Sequence, residues 1–186
     1  LTGDGNVEFQ VGDQVYTADQ VNTSGIIGSW HHWAFVFDRV REEALVLRDG
    51  YVVGSGSMDP AYTGYGDVYL GKSMINDGDP FKGSLHELRI WERPRTASGI
   101  TANMLVTLSG KETGLIGYWP FSDATGPLAT EKVHRRNASV HAPWMISPTG
   151  YAATFDANAE GMIDLDCSDV AFGEEEDFTI ELWFKG

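Results

Sequence analysis

Three oxygen-bearing side chains at alternate positions make the segment from Asp156 to Gly161 a first candidate for chemistry. Asp156, Asn158 and Glu160 precede Gly161 with the spacing of the first half of an EF-hand calcium loop. The twelfth position of such a loop would be Cys167 instead of the bidentate glutamate, and no helical pattern flanks it, so an EF-hand is excluded. Asp and Asn also favour turns without any metal. The segment is therefore either a turn or part of a calcium site of another geometry.

Aromatic and basic side chains outside the predicted strands form a second candidate, a ligand-binding surface. Tyr62 and Tyr65 belong to a glycine-containing loop, Trp144 is placed in another loop, and Arg135 and Arg136 form a basic cluster. Aromatic rings on loops stack on sugar faces or pack against a neighbouring module. A basic cluster attracts an anionic sugar or an acidic neighbour. The residue types alone do not choose between a glycan and a protein partner.

Composition limits the possible partners and the source of stability. The net charge of −14 argues against nucleic acid and against anionic lipid, because both need a Lys/Arg surface. Cys167 is the single cysteine, so no intrachain disulfide forms and packing must hold the fold together. No stretch approaches the ~18 consecutive apolar residues of a membrane span, so membrane insertion is not expected.

Short apolar–polar alternation separated by turn residues predicts many strands and little helix. In residues 84–91, the alternation places Leu85, Glu87, Arg89 and Trp91 on one face of a strand. We predict strands at 7–11, 14–17, 33–37, 44–48, 51–53, 68–71, 84–91, 115–120, 151–155, 162–165 and 178–184.

Two local signals define a turn and a helix. Asp49-Gly50 between two apolar runs predicts a type I′ hairpin turn, which needs positive φ at both central residues. Thr96 is placed as the cap of a short helix over 97–105, with Ile100 and Leu105 on its apolar face. The elements together predict an all-β fold, an antiparallel two-sheet jelly-roll β-sandwich with one short helix.

Six segments resemble those of laminin-G-like modules in the concanavalin A-like lectin/glucanase superfamily, which also includes pentraxin-like jelly rolls. They are residues 29–34 (SWHHWA), 49–50 (DG), 81–91 (FKGSLHELRIW), 119–121 (WPF), 153–156 (ATFD) and 178–183 (FTIELW). The last three resemble the opening of such a module, yet they follow the segments that resemble its closing half. His86 departs from the family pattern, which usually has Asp there.

This order implies a particular domain organisation. Residues 1–109 resemble the C-terminal half of one module, 110–114 a linker, and 115–186 the N-terminal half of the next. The halves either fold together as one circularly shifted sandwich or are each completed by other chains. A stretch of strand that normally precedes the SWHHWA segment is absent, which predicts open sheet edges that pair with neighbouring chains.

The resemblance also bears on metal binding and catalysis. Many relatives bind Ca²⁺ in rim loops, so we expect Ca²⁺ as a possible cofactor, with a rim site drawn from Asp156, Asn158, Glu160, Glu87, Asp77 and Asp79. Glucanases of this fold need paired carboxylates on one strand. Here Asp164 and Asp166 follow Met162, which occupies the place of the first acid, so the set is incomplete and no catalytic residue is predicted.

The sequence therefore predicts a non-catalytic, extracellular or cell-surface β-sandwich repeat that acts in adhesion or in assembly of a filamentous structure. Its expected partners are neighbouring copies or modules of the same protein, with a glycan as the alternative partner. The alternative function is that of a carbohydrate-binding module, whose binding either does or does not depend on calcium. The third and least favoured function is that of a glycoside hydrolase.

Overall fold

The computed structural model describes residues 8–11, 14–17, 28–57, 68–71, 81–147, 150–156, 161–165 and 177–186 of the 186-residue chain. Within these ranges the strands are β1 (Glu8–Val11), β2 (Gln14–Thr17), β3 (His31–Asp38), β4 (Glu43–Arg48), β5 (Tyr51–Ser57), β6 (Val68–Leu70), β7 (Gly83–Trp91), β8 (Leu115–Trp119), β9 (Leu128–Ala129), β10 (Ala138–Val140), β11 (Trp144–Ser147), β12 (Gly150–Phe155), β13 (Ile163–Leu165) and β14 (Phe178–Lys185). The single described helix is α1 (Ala97–Asn103). All strand pairs are antiparallel.

The first layer is one eight-stranded sheet with the order β11-β12-β7-β14-β3-β4-β5. Strand β8 completes it by pairing with the second half of β7, while β12 pairs with the first residues of β7. Strand β14 lies between β7 and β3. Strands from both sides of residues 110–114 therefore share one sheet.

The second layer consists of two separate pieces among the described residues. A four-stranded sheet has the order β6-β13-β10-β9, and the β1–β2 hairpin forms its own two-stranded sheet that lies against β4 and β5. The main core joins buried side chains of the eight-stranded sheet, among them Trp33, Phe37 and Trp119, with Ile163 and Leu165 of the four-stranded sheet. The prediction of an all-β antiparallel sandwich with one short helix is confirmed.

Helix α1 covers the opposite, outer face of the eight-stranded sheet. Thr96 caps it as predicted, because its Oγ1 accepts the backbone N–H of Gly99 at 3.1 Å. Ile100 is fully buried against Ala34, Val36 and Leu47. The helix ends at Asn103, two residues before the predicted end, and Leu105 is 72% exposed, so its place on the buried face was wrong.

The Asp49-Gly50 turn joins β4 to β5 with positive φ at both residues, 51° and 83°, as the sequence predicts. The Asp49 carboxylate accepts the backbone N–H of His32 at 2.9 Å and lies 2.7 Å from Nδ1 of His31. A Cβ at position 50 would lie 2.2 Å from Oγ1 of Thr101 in α1. The turn therefore contacts both the start of β3 and the helix.

Replacing Gly50 with alanine is expected to destabilise the fold more than the same change at Gly126. Both glycines have positive φ, which costs an alanine about 1–2 kcal/mol, but no atom lies within 4 Å of a Cβ at Gly126. Only Gly50→Ala adds a steric conflict with Thr101. Urea denaturation of the two variants measures the difference in unfolding free energy, and equal values would show that the turn does not press against the helix.

Candidate functional site

A β-bulge in β7 decides which side chains reach the outer face of the sheet. The register between β14 and β7 shifts between Glu181 and Trp183, and Glu87 has a φ of 56°. Leu85 and Leu88 consequently both reach the core, although they are three residues apart. The simple alternation that placed Leu85 on the face of Glu87 and Arg89 was wrong, because the bulge adds one residue to the strand.

The bulge brings Glu87 into contact with Arg89 and Tyr118 on the outer face. Nη2 and Nε of Arg89 donate to Oε2 of Glu87 at 2.7 and 3.3 Å. The Tyr118 hydroxyl donates to the same carboxylate at 2.9 Å from Oε1. The remaining Arg89 donors bind the carbonyls of Asn103 and Val106 at 2.9 and 2.8 Å, which ties the segment after α1 to the sheet.

A second ion pair holds the segment before α1. Nη1 of Arg95 donates to Oε1 of Glu181 at 2.7 Å, and Nη2 of Arg95 donates to the Gly99 carbonyl at 3.0 Å. The Arg95 guanidinium also lies over the Trp91 ring, 4.0 Å from its centroid. Nε2 of His32 is 3.4 Å from the other Glu181 oxygen, and Glu181 has no solvent-exposed surface.

These residues form a charge-balanced buried ion-pair network of Glu87, Arg89, Arg95 and Glu181. Burial disfavours the charge of Glu181, but His32 and Arg95 outweigh it and lower the pKa of this carboxyl. Burial, and then the neighbouring Glu87 charge, raise the pKa of the Tyr118 phenol, so it stays protonated and donates. The network therefore holds the two carboxylates in place under α1 and its flanking segments.

Two of the six predicted calcium ligands lie in the described part of the chain. Asp156 is exposed directly after β12, whereas Glu87 is buried in the ion-pair network. Asn158, Glu160, Asp77 and Asp79 lie outside the described residues. Within the part of the chain that the structure describes, no group of three or more His, Cys, Asp or Glu side chains could hold a metal ion. Calcium binding stays a prediction.

Three of the five predicted ligand-binding residues lie in the described part of the chain. Trp144 is the first residue of β11, so its placement in a loop was wrong; its indole N–H donates to the Gly126 carbonyl at 2.8 Å. Arg135 is exposed and Arg136 is half-buried, both in the segment before β10. Tyr62 and Tyr65 lie outside the described residues. Asp164, considered for catalysis, lies half-buried in β13, and Asp166 is not described.

Glu131 organises the basic segment in a way that the sequence did not indicate. Its carboxylate is buried and accepts the backbone N–H groups of Tyr118, Val133, His134 and Arg135. The Arg135 backbone has a φ of 63°. A lone glutamate between polar residues has no distinguishing pattern, so only the folded chain reveals this role. The Arg135 side chain is thus presented from a fixed backbone.

An apolar strip on the inner face of the large sheet is half-buried. The strip consists of Phe35 in β3 and Ile180 and Leu182 in β14, which all pack against the main core. Trp33 and Phe184 beside them are buried. In the second layer, the four-stranded sheet ends at β6 and the β1–β2 hairpin lies against β4 and β5. No described strand joins these two pieces.

Comparison with known proteins agrees with this architecture. A sequence model named Laminin_G_3, of the concanavalin A-like lectin/glucanases superfamily, matches residues 1–101, more than half of the chain. The chain belongs to this superfamily. No curated protein and no solved structure was found to match it. Among the described residues of this superfamily member, no helix has the length and apolar character needed to cross a bilayer.

Removing one partner of the buried ion-pair network is expected to destabilise the fold strongly. Arg95→Leu leaves the fully buried Glu181 without its closest cation, which costs about 3–5 kcal/mol when a buried pair is broken. Arg135→Leu is the matched control, because the Arg135 side chain is exposed and removing it uncovers no buried charge. Chemical denaturation measures both, and a similar loss in the two variants would contradict a central role for Arg95.

The stability of the fold is expected to decrease as the pH falls below 6.5. Burial lowers the pKa of His86 from 6.5, and the Arg89 charge acts in the same direction, although Glu87 and the Tyr151 backbone oppose them. The unfolded chain therefore binds a proton that the folded chain does not, which favours unfolding at lower pH. Thermal melting between pH 7 and pH 5 tests this. His86→Gln should flatten the dependence, whereas exposed His134→Gln should not.

Proposed function

We propose that this chain is a non-catalytic extracellular sandwich module that acts in assembly or adhesion by binding neighbouring copies of itself. The observation that carries the proposal is the β11 edge of the large sheet, the end of its described strand order, where Ile146 and Tyr151 lie opposite each other and are 78% and 40% exposed. Apolar surface at a sheet edge gains free energy when a partner removes it from water, roughly 25 cal/mol per Å². A neighbouring module supplies such cover.

The arrangement of charged groups supports a non-catalytic module. Hydrolysis of a glycosidic bond needs an acid and a second carboxylate on either side of the bond. The buried carboxylates of Glu87 and Glu181 are instead paired with arginines on the outer face, beneath α1 and its flanking segments. Asp164 has neither of these carboxylates beside it on β13. A hydrolase assay that detected activity dependent on Asp164 would overturn this part of the proposal.

Glycan binding is the second candidate function, and the basic segment favours it. The superfamily includes lectins by name. Glu131 fixes the backbone from which the exposed Arg135 projects, so an anionic sugar would meet a guanidinium on a preorganised segment. If glycan binding depends on calcium, the ion binds at the rim of the sandwich beside Asp156. A glycan array, run with calcium and with a chelator, separates this function from self-assembly.

Self-assembly predicts that the mass of the chain in solution rises with concentration. Light scattering is expected to exceed the monomer mass of 20.4 kDa for the native chain and to stay at that mass for Ile146→Lys. A lysine at position 146 places an unpaired charge where an apolar contact forms. Val40→Lys is the control, because Val40 is 88% exposed in the turn after β3. A monomer at every concentration, with calcium and with a chelator, would refute self-assembly.

A further inference from the structure

The described strand order of the large sheet ends at β11 on one side and at β5 on the other, and both end strands expose apolar side chains. In β11 these are Met145 and Ile146. In β5 they are Tyr51, which is 76% exposed, and Val52, which is 51% exposed. The chain therefore carries two apolar sheet edges, and β5 is a second candidate for contact with a neighbouring copy.

Neither of these edges carries a charged side chain. Residues 51–57 of β5 and residues 144–155 of the β11–β12 hairpin contain no Asp, Glu, Lys or Arg, although the chain has 27 acidic and 13 basic residues. Sheet edges are commonly protected from pairing by charged side chains, lysine above all. Because a net charge of −14 makes two copies repel each other, the uncharged edges are where a second copy approaches at the least cost.

The topology of the sheet fixes how the two edges meet. Neighbouring strands along the order from β11 to β5 are all antiparallel, and an even number of steps separates the two ends, so β5 and β11 run in the same direction. When copies repeat along the sheet with their inner faces on the same side, β5 of one copy lies parallel to β11 of the next. Each face of one edge then continues into the same face of the other.

Tyr51 and Ile146 both belong to the inner face. Tyr51 is paired with Arg48, and Arg48 is paired with Trp33 of the main core. Ile146 is two residues after Trp144, which packs against the same core. Side chains two residues apart on a strand lie on one face, and directly paired side chains share a face. The most exposed apolar side chain of each edge therefore lies on the face where the other edge has its own.

Val52 and Met145 match in the same way on the outer face. Val52 is paired with Leu47, which packs against Ile100 of α1. Met145 is adjacent to Ile146 and therefore points to the face opposite it. A parallel pair of β5 and β11 brings an aromatic side chain to a β-branched one on the inner face, which is a favourable combination across strands. It brings two aliphatic side chains together on the outer face.

Strand β5 fits β11 better than it fits a second β5. Its exposed apolar side chains are at its first two positions, and the rest of the strand contains Gly54 and Gly56. Two antiparallel β5 strands in full register would place Tyr51 of each copy opposite the far, glycine-containing end of the other, so the apolar side chains would not meet. Strand β11 is apolar over residues 144–146. Glycines in β5 allow another backbone to approach closely.

We propose that β5 of one copy pairs with β11 of the next, so that copies join edge to edge into an open chain with a continuous sheet. This inference rests on the proposed assembly function and names its second surface. The contact is heterologous, because it uses a different surface of each copy, and such contacts extend into filaments where they do not close into a ring. A contact between two β11 edges would stop at a dimer.

Mixing two single variants of the full chain tests this pairing. Ile146→Lys blocks β11 and keeps β5, whereas Tyr51→Lys blocks β5 and keeps β11, because each lysine would be buried unpaired in the contact. Light scattering is expected to show the native chain and Val40→Lys in species larger than a dimer, and each edge variant alone at 20.4 kDa. An equimolar mixture of the two edge variants is expected at twice that mass, because one intact contact remains between them.

Amide hydrogen exchange of the native chain identifies the strands in contact without any substitution. Main-chain pairing is expected to slow exchange at least about tenfold in both residues 51–54 and residues 144–147 when the chain is concentrated. Exchange in the segment around Gly126 is expected to stay the same, because that segment belongs to neither edge. If melting shows that Tyr51→Lys is not folded, Val52→Lys takes its place in the mixture.

The outcomes distinguish this inference from the proposed function. A native chain that stays monomeric at every concentration would refute both. If Tyr51→Lys associates as the native chain does while Ile146→Lys stays monomeric, assembly stands and the role of β5 is rejected. A native chain that stops at the dimer, a mixture that stays monomeric, or exchange slowed in residues 144–147 alone would also overturn the pairing of β5 with β11 and leave self-association standing.

Discussion

The buried ion pairs between Glu87 and Arg89 and between Glu181 and Arg95 are the interaction on which the outer face depends. Carboxylates without solvent contact are tolerated only when cations and hydrogen-bond donors replace the lost water. Both cations of this network also bind main-chain carbonyls, those of Gly99 and Asn103 within the helix and that of Val106 just after it. The network therefore positions α1 and its flanking segments against the sheet. It also pairs the buried charges, which would otherwise need contact with water and would prevent the helix from covering this face.

The same network joins distant parts of the sequence. Glu181 lies in β14, after residues 110–114, whereas Arg89 and Arg95 precede them. If β14 did not pair with β7, Glu181 would need another cation or exposure to water. Burial of Glu181 is thus a physical reason for the strands before and after residues 110–114 to share one sheet. The contacts of Phe178 and Phe184 with the apolar core are a second reason.

Local rules predicted those elements whose geometry depends on neighbouring residues. The Asp49-Gly50 turn and the Thr96 cap depend on positive φ and on a single side-chain hydrogen bond, and both lie where the sequence places them. The bulge at Glu87 was missed, because a glutamate at positive φ has no sequence signal and alternation assumes an unbroken period of two.

The candidate site was less accessible to sequence reasoning than the fold. Trp144 was assigned to a loop because the segment from Ser122 to Pro148 is irregular and rich in Ala, His, Arg and Pro, yet it pairs with Ala153 at the edge of the large sheet. The apolar strip reads in the sequence as ordinary core, since Ile180 and Leu182 alternate with polar residues as any buried strand does. Its partial exposure depends on which strands form the second layer, and that is a property of the complete fold.

The outer face of the large sheet and its β11 edge differ in a way that separates stability from association. On the outer face, charges are paired and the helix is held by hydrogen bonds of fixed geometry, so a partner gains little there without breaking them. At the edge, Ile146 and Tyr151 are exposed, so a partner gains free energy by covering them. Association at this edge therefore leaves the ion-pair network intact. The acid sensitivity that His86 introduces on the outer face lowers the stability of the fold. It therefore affects association only by unfolding the sheet.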